Sequence, residues 1–262
     1  ALIDRISFLG VEIRRLVRPG GATGHAVWDP AAGKLDPAEL EGIDAIVHLA
    51  GENIAAGRWS DAKKTWLRAS RVDATRLLCE SVARLASRPK TLVCASAVGI
   101  YGNRGDEWLD ETSSVGDDFL ATLCRDWEAA TRAAEDAGVR VVCLRFGVIL
   151  ARDGGALAKM LLPFRMGVGG IVGDGRQYVS WITLDDAVGA IEHALGQSSL
   201  RGPANAVTAA PVTNHELTKA LGRVLHRPTV FPLPAFAARL VFGEVADALL
   251  LASQRVRPTA LE

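Results

Sequence analysis

The apolar positions of this chain alternate between compact runs of strand length and longer stretches with helical spacing. Asp44–Ala50 (DAIVHLA), Thr91–Cys94 and Val139–Phe146 (VRVVCLRF) are nearly continuous apolar runs. Between them, Ser60 can cap a long helix reaching about Ala86, with Leu67, Leu77, Leu78, Val82 and Leu85 in one stripe. Phe119–Ala137 reads as a second helix, stopped at Gly138. Strands that are apolar throughout, rather than alternating, belong to a parallel sheet covered on both faces. The strand–helix–strand order therefore predicts an α/β fold, a Rossmann-like doubly wound sheet.

Before this unit, Ala1–Leu9 has the pattern of an amphipathic helix with Leu2, Ile3, Ile6 and Leu9 on one side and a stop at Gly10. Val11–Val17 has strand content, and Leu35–Leu40 reads as a short polar connection. A strand is expected before such a helix in a βαβ unit, so a segment upstream of Ala1 is expected. After Leu150 the pattern changes. Gly154-Gly155, a helical stretch Ala156–Phe164 and glycine-rich Gly167–Gly175 read as a lobe or lid. Asp185 or Asp186 opens a helix to about Leu195, and Asn205–Val207 is a brief strand. Thr213 with Glu216 has capping-box spacing, and Ala235–Ser253 is a last helical region. The division predicted is 1–150 as a dinucleotide-binding domain and 151–262 as a mixed substrate lobe. That lobe returns to the core around 181–207 and ends in a helical region, 213–262.

Composition narrows the function classes. Thirty Lys and Arg balance thirty Asp and Glu, which removes the electrostatic case for nucleic acid or an anionic membrane as main partner. No apolar run approaches the roughly 20 residues of a membrane helix, and no signal peptide is visible. Cys79, Cys94, Cys124 and Cys143 form no CxxC pair. They are expected as free buried thiols in a reducing compartment, the cytoplasm, with no metal site.

The segment Lys90–Gly102 (KTLVCASAVGIYG) is the most informative. A buried strand ends in small residues, a serine and a glycine-flanked tyrosine, and open α/β sheets bind ligands outside the carboxyl ends of their strands. The alternative is a core strand followed by an ordinary loop.

Several pieces together resemble the extended short-chain dehydrogenase/reductase superfamily, the nucleotide-sugar epimerase and dehydratase group. They are HLAG at 48–51, RVDATRLL at 71–78, SAVGIYG at 96–102, LRFGVIL at 144–150 and WITLDDAV at 181–188. GENIAAGRW at 51–59, the run at 154–170, GRQYVSWI at 175–182 and LLASQRVRP at 250–258 resemble more narrowly an uncharacterised epimerase-family branch with a C-terminal domain of unknown function. The resemblance implies a glycine-rich GxxGxxG loop upstream of Ala1 and a chain continuing past Glu262.

The resemblance also implies site residues. Val17 stands where an aspartate would select NAD, and Arg18 follows it, suited to a 2′-phosphate, so NADP is the expected cofactor. The alternative for Arg18 is a solvent-facing arginine in a run with Arg14 and Arg15. Leu49, Ala50 and Gly51 would line the cofactor through the backbone. Arg71, on the helix that faces the cofactor in relatives, would reach a phosphate or ribose oxygen or simply lie on the surface. Gly147 and Val148 would border the nicotinamide side. Ser96 is expected as catalytic donor to a substrate carbonyl or hydroxyl.

The superfamily pairs that serine with a Tyr-x-x-x-Lys motif, and this chain departs from it. Leu120 stands where tyrosine belongs, Cys124 where lysine belongs, and Glu128 at the usual trailing glutamate. Leucine cannot exchange a proton, so the standard mechanism cannot run here. The two tyrosines are Tyr101, expected to pack, and Tyr178, in the lid-like segment. Lys159 and Arg165 are either substrate grips or solvated charges, and Asp185 and Asp186 read as helix-start acids. Two functions follow: an NADP-dependent oxidoreductase or epimerase-like enzyme with an unknown small-molecule substrate, or an NADP-holding sensor that has lost the chemistry. A homodimer is compatible with either.

Overall fold

The computed structural model describes residues 1–7, 10–21 and 25–262. The chain opens with α1 (Leu2–Ser7), then β1 (Leu16–Val17), β2 (Ala26–Asp29) and β3 (Lys34–Leu35). β1 and β2 run parallel and β3 returns antiparallel to β2. Leu9, counted in the α1 stripe, lies outside the described residues. A 3-10 turn at Pro37–Leu40, capped by the Asp36 carboxylate on the Ala38 N–H, leads to β4 (Ala45–His48). The connection read as polar thus holds β3 and this turn, whose Leu40 is buried.

Next come α2 (Asp61–Arg68) and α3 (Ala74–Ala83), joined through a π-helical turn at Ala69–Asp73. The Ser60 hydroxyl caps α2, accepting from the Lys63 N–H. β5 (Thr91–Ala97) passes through a 3-10 turn, Val98–Tyr101, to β6 (Trp108–Leu109). The helix predicted over 119–137 is divided into α4 (Phe119–Ala129) and α5 (Arg132–Asp136). At the break the buried Thr131 hydroxyl donates to the Glu128 carbonyl, a back-bond that bends helices. β7 (Arg140–Phe146) and β8 (Val148–Ala151) follow, then α6 (Gly155–Arg165), β9 (Tyr178–Val179) and β10 (Trp181–Thr183).

α7 (Leu184–Gly196) is capped by Thr183 rather than by an aspartate; Asp186 closes the turn by accepting from the Thr183 hydroxyl at 2.7 Å. β11 (Gly202–Ala206) and β12 (Val212–Thr213) precede α8 (Asn214–Leu225), which carries the expected Thr213–Glu216 capping box. The last helical region is interrupted. α9 (Ala235–Phe242) stops at Gly243, whose φ of 63° lies in the left-handed region, and α10 (Glu244–Ala246) runs into a π turn at Asp247–Leu251 before β13 (Arg255–Val256).

The central sheet has the order β11-β7-β5-β4, every pair parallel. Its two faces are covered as continuous apolar strands require. Leu92 and Cys94 pack with Leu78, Val82, Leu123 and Trp127 of α3 and α4 on one side. Val93, Val142 and Leu144 pack with Ala187, Ala190 and Ile191 of α7 on the other. The sheet is thus doubly wound. The second edge of β4 carries no strand among the described residues.

His48 ends β4 in the first core. Its Nε2 lies 3.0 Å from the Thr75 hydroxyl oxygen, which accepts from the Trp127 indole N–H at 2.9 Å. The Thr75 proton therefore points to an unprotonated Nε2, and burial pushes the imidazole pKa down to about 4. A histidine lowered in the folded state contributes full stability above its unfolded pKa and loses it as pH falls. Urea unfolding should show stability dropping by up to ~1.4 kcal/mol per unit between about pH 6.5 and 4. A His48→Gln variant should have a flatter profile there.

Candidate functional site

Three strand ends open on one side of the central sheet. β4 leads into Leu49, Ala50 and Gly51; Leu49 is 45% exposed although β4 itself is largely covered. Gly51 leaves room for its neighbour: a Cβ there would stand 3.2 Å from the Arg71 guanidinium carbon, so the arginine would have to shift by a few tenths of an ångström. Arg71 lies in the π-helical turn and reaches back to this loop, donating from Nη2 to the Glu52 carbonyl at 2.8 Å and from Nη1 to Ser70 Oγ at 3.3 Å. Its guanidinium also lies over the Trp127 ring. Arg71 thus holds the Gly51-Glu52 turn, and Lys63 pairs with the Glu52 carboxylate at 3.3 Å.

At the β7 end, Gly147 is where the chain changes partner. Its N–H donates to Ala206 of β11, whereas Val148 donates to the Ser180 carbonyl and β8 pairs with β10. A Cβ on Gly147 would lie 2.5 Å from the Ser180 carbonyl oxygen, so only glycine permits this crossing. Val148 is half-buried beside it. At the end of β1, Val17 pairs with Val27 and is half-buried, while Arg18 is exposed. The Arg18 carbonyl accepts from the Gly21 N–H, and its side chain is exposed at the strand's carboxyl end.

The β5 end is differently built. Ser96, Arg145 and Asn205 are register partners across β5, β7 and β11, forming one polar row on three adjacent strands. Ser96 is only 3% exposed, and its hydroxyl donates to Glu128 Oε1 at 2.6 Å. Glu128, from α4, accepts two bonds of 2.8 Å from Arg145 Nε and Nη2. Arg145 Nη1 donates to the Tyr101 hydroxyl at 3.0 Å, and Tyr101 donates to Asn205 Oδ1 at 2.7 Å. The Asn205 amide ends the chain on the Arg257 carbonyl. Burial alone would lower the Arg145 pKa, but the Glu128 carboxylate outweighs it and holds the guanidinium charged. Burial raises the Tyr101 pKa, with Arg145 opposing. Ser96, expected as a free donor to substrate, thus has its proton committed to Glu128 inside the protein. Tyr101 is fully buried in the same network and packs, as expected.

Leu120 and Cys124 are buried on α4 where a proton-transferring pair would stand. Burial pushes the Cys124 thiol up to about 12, with Glu128 adding to the shift. Cys79 is likewise raised to about 12 by burial, and Cys94 and Cys143 are raised for the same reason. All four cysteines are free and buried. The folded protein at pH 8 should therefore leave an aromatic disulfide reagent uncoloured over minutes, while the urea-unfolded chain titrates four thiols. Lys159 of α6 donates to the Ala55 carbonyl at 3.1 Å, bridging the lid-like segment to the loop after β4. The Tyr178 ring lies under the Arg255 guanidinium at 4.6 Å.

Residues 34–207 match the family described as the NAD dependent epimerase/dehydratase family. The chain belongs to that family. Residues 233–262 match a domain of unknown function, DUF1731. An epimerase family protein of Mycobacterium bovis is 48% identical over 251 residues, 95% of this chain and 83% of its own length. The human epimerase family protein SDR39U1, solved with NADPH, has a TM-score of 0.89 and 35% identity over 99% of this chain and 87% of that one. A nucleoside-diphosphate sugar epimerase from Corynebacterium glutamicum has a TM-score of 0.80 and 40% identity, covering this whole chain and 50% of that one. Within this epimerase-family chain, Glu128, Arg145 and Asn205 are the site-forming residues that sequence reasoning left without a role. An arginine inside the apolar run of β7 was the available signal, because a buried charge requires a partner.

Proposed function

We propose that this chain is an NADP-dependent oxidoreductase or epimerase-like enzyme of the short-chain dehydrogenase/reductase class. It acts in the cytoplasm on a small-molecule substrate, with a proton donor other than a Tyr/Lys pair. The observation that carries the cofactor reading is the carboxylate-free end of β1, with exposed Arg18 at a strand carboxyl end. A carboxylate there would repel a 2′-phosphate, whereas a free guanidinium can grip it with paired hydrogen bonds. The NADPH-bound human relative supports the same choice. Leu49–Gly51, Arg71, Gly147 and Val148 would border the cofactor. Ser96 would act through Glu128, setting the position of the β5 end.

A second reading, an NADP-holding sensor, is favoured by the buried Leu120 and unreactive Cys124. Loss of NADPH absorbance across a panel of carbonyl substrates, with the full-length protein, separates the two. Turnover supports the enzyme; tight NADPH binding with no turnover supports the sensor. If a Ser96→Ala variant turns over like wild type, Ser96 has no part in the reaction.

A further inference from the structure

The balanced charge of the chain is not evenly distributed. Residues 217–243 contain Lys219, Arg223, Arg227 and Arg239 and no aspartate or glutamate; residues 154–173 contain Lys159 and Arg165 and again no acid. These two acid-free stretches lie against each other. Arg227 Nε donates to the Arg165 carbonyl at 3.1 Å, Leu233 donates to the Ile171 carbonyl at 2.8 Å, and a Cβ on Gly170 would strike the Phe231 backbone. Exposed apolar side chains lie along both stretches. Phe236 and Leu240, one turn apart on α9, are 73% and 75% exposed, and Phe231, Leu162 and Met166 are more than half exposed. On α8 and the loop after it, a basin of about 580 Å³ is lined by Lys219, Arg223, His226 and Arg227 together with Pro228 and Thr229. Acids flank both stretches and are engaged: Glu216 in the α8 capping box, Asp174 with the Arg176 N–H, Asp247 with Arg239 and Glu244 with Lys64.

We propose that this face docks on an anionic lipid surface, with Phe236 and Leu240 entering the headgroup boundary and the arginines meeting lipid phosphates. Large exposed apolar side chains on stretches that carry basic residues and no acid suit an interface between water and acyl chains. A second copy of the chain fits less well. A two-fold contact would set the basic residues of these two stretches against their own copies. No helix among the described residues is long and apolar enough to span a bilayer, so the attachment is peripheral.

Co-sedimentation of the full-length protein tests this, using phosphatidylcholine vesicles with and without about one third phosphatidylglycerol. Binding is expected only to the anionic vesicles and should be reversed by 0.5 M salt, since basic residues attract anionic lipid through a screened field. At about 1 kcal/mol per basic residue, neutralising Arg223 (Arg223→Gln) should weaken binding about fivefold. Phe236→Ser/Leu240→Ser should weaken it at least tenfold, with circular dichroism unchanged. Binding equal on neutral and anionic vesicles, or none on either, overturns the proposal. So does a dimer in sedimentation velocity that the Phe236→Ser/Leu240→Ser variant dissolves, which would assign the face to a second copy. So would binding of the Phe236→Ser/Leu240→Ser variant to anionic vesicles at wild-type strength.

Discussion

Glu128→Ala should lower the free energy of unfolding by about 3–5 kcal/mol, the loss expected when one partner of a buried ion pair is removed. The Arg145 side chain is only 7% exposed, and two of its three donor groups bond to Glu128. Without the carboxylate, the guanidinium remains charged in a site shielded from water, and the Ser96 hydroxyl loses its acceptor. Adding Arg145→Met to Glu128→Ala should restore a good part of the loss, because the unpaired charge goes with it. Equilibrium urea unfolding of the single and double variants measures this. A loss below 1 kcal/mol for Glu128→Ala would show that the network does not hold the β5 end.

Arg18→Ala should weaken NADPH binding by roughly 10- to 100-fold, the range set by one charge-assisted contact of ~1.5–3 kcal/mol. NADH, which lacks the 2′-phosphate, should bind wild type and variant alike. The selectivity of the loss is the point. A general disturbance of β1 would weaken both cofactors together, whereas a lost phosphate contact affects only one. Raising the salt concentration should narrow the wild-type preference, because Arg18 is exposed and its field is screened.

The sheet was legible because its signal is local. Residues 45–47, 92–95 and 141–144 are apolar on both faces, and both caps read from sequence, Ser60 and Thr213, accept the N–H bonds expected of them. The π-helical turn at 69–73 was not legible, since one inserted residue hardly alters an apolar stripe. The short strands β8, β9 and β10 were missed for a different reason. Each is two to four residues long and forms only through partners distant in sequence, such as Trp181 beside Val148.

Ser96 shows where a correct segment can still mislead about a side chain. The sequence located the strand end and its small-residue turn. Which way the serine points depends on period-two alternation, and that places it on the face of Leu92 and Cys94, beneath α4. Glu128 then meets it from α4, a contact spanning 32 positions that no local pattern carries. Arg71, expected either to reach a cofactor oxygen or to lie on the surface, donates to the Glu52 carbonyl and Ser70, contacts that no local pattern carries.

Calorimetric titration of the full-length protein with NADPH and with NADH measures the proposed preference of the strand ends for NADP. NADPH should bind at least tenfold tighter, with the difference abolished in Arg18→Ala. Equal affinity for the two, tighter binding of NADH, or no binding of either would contradict it.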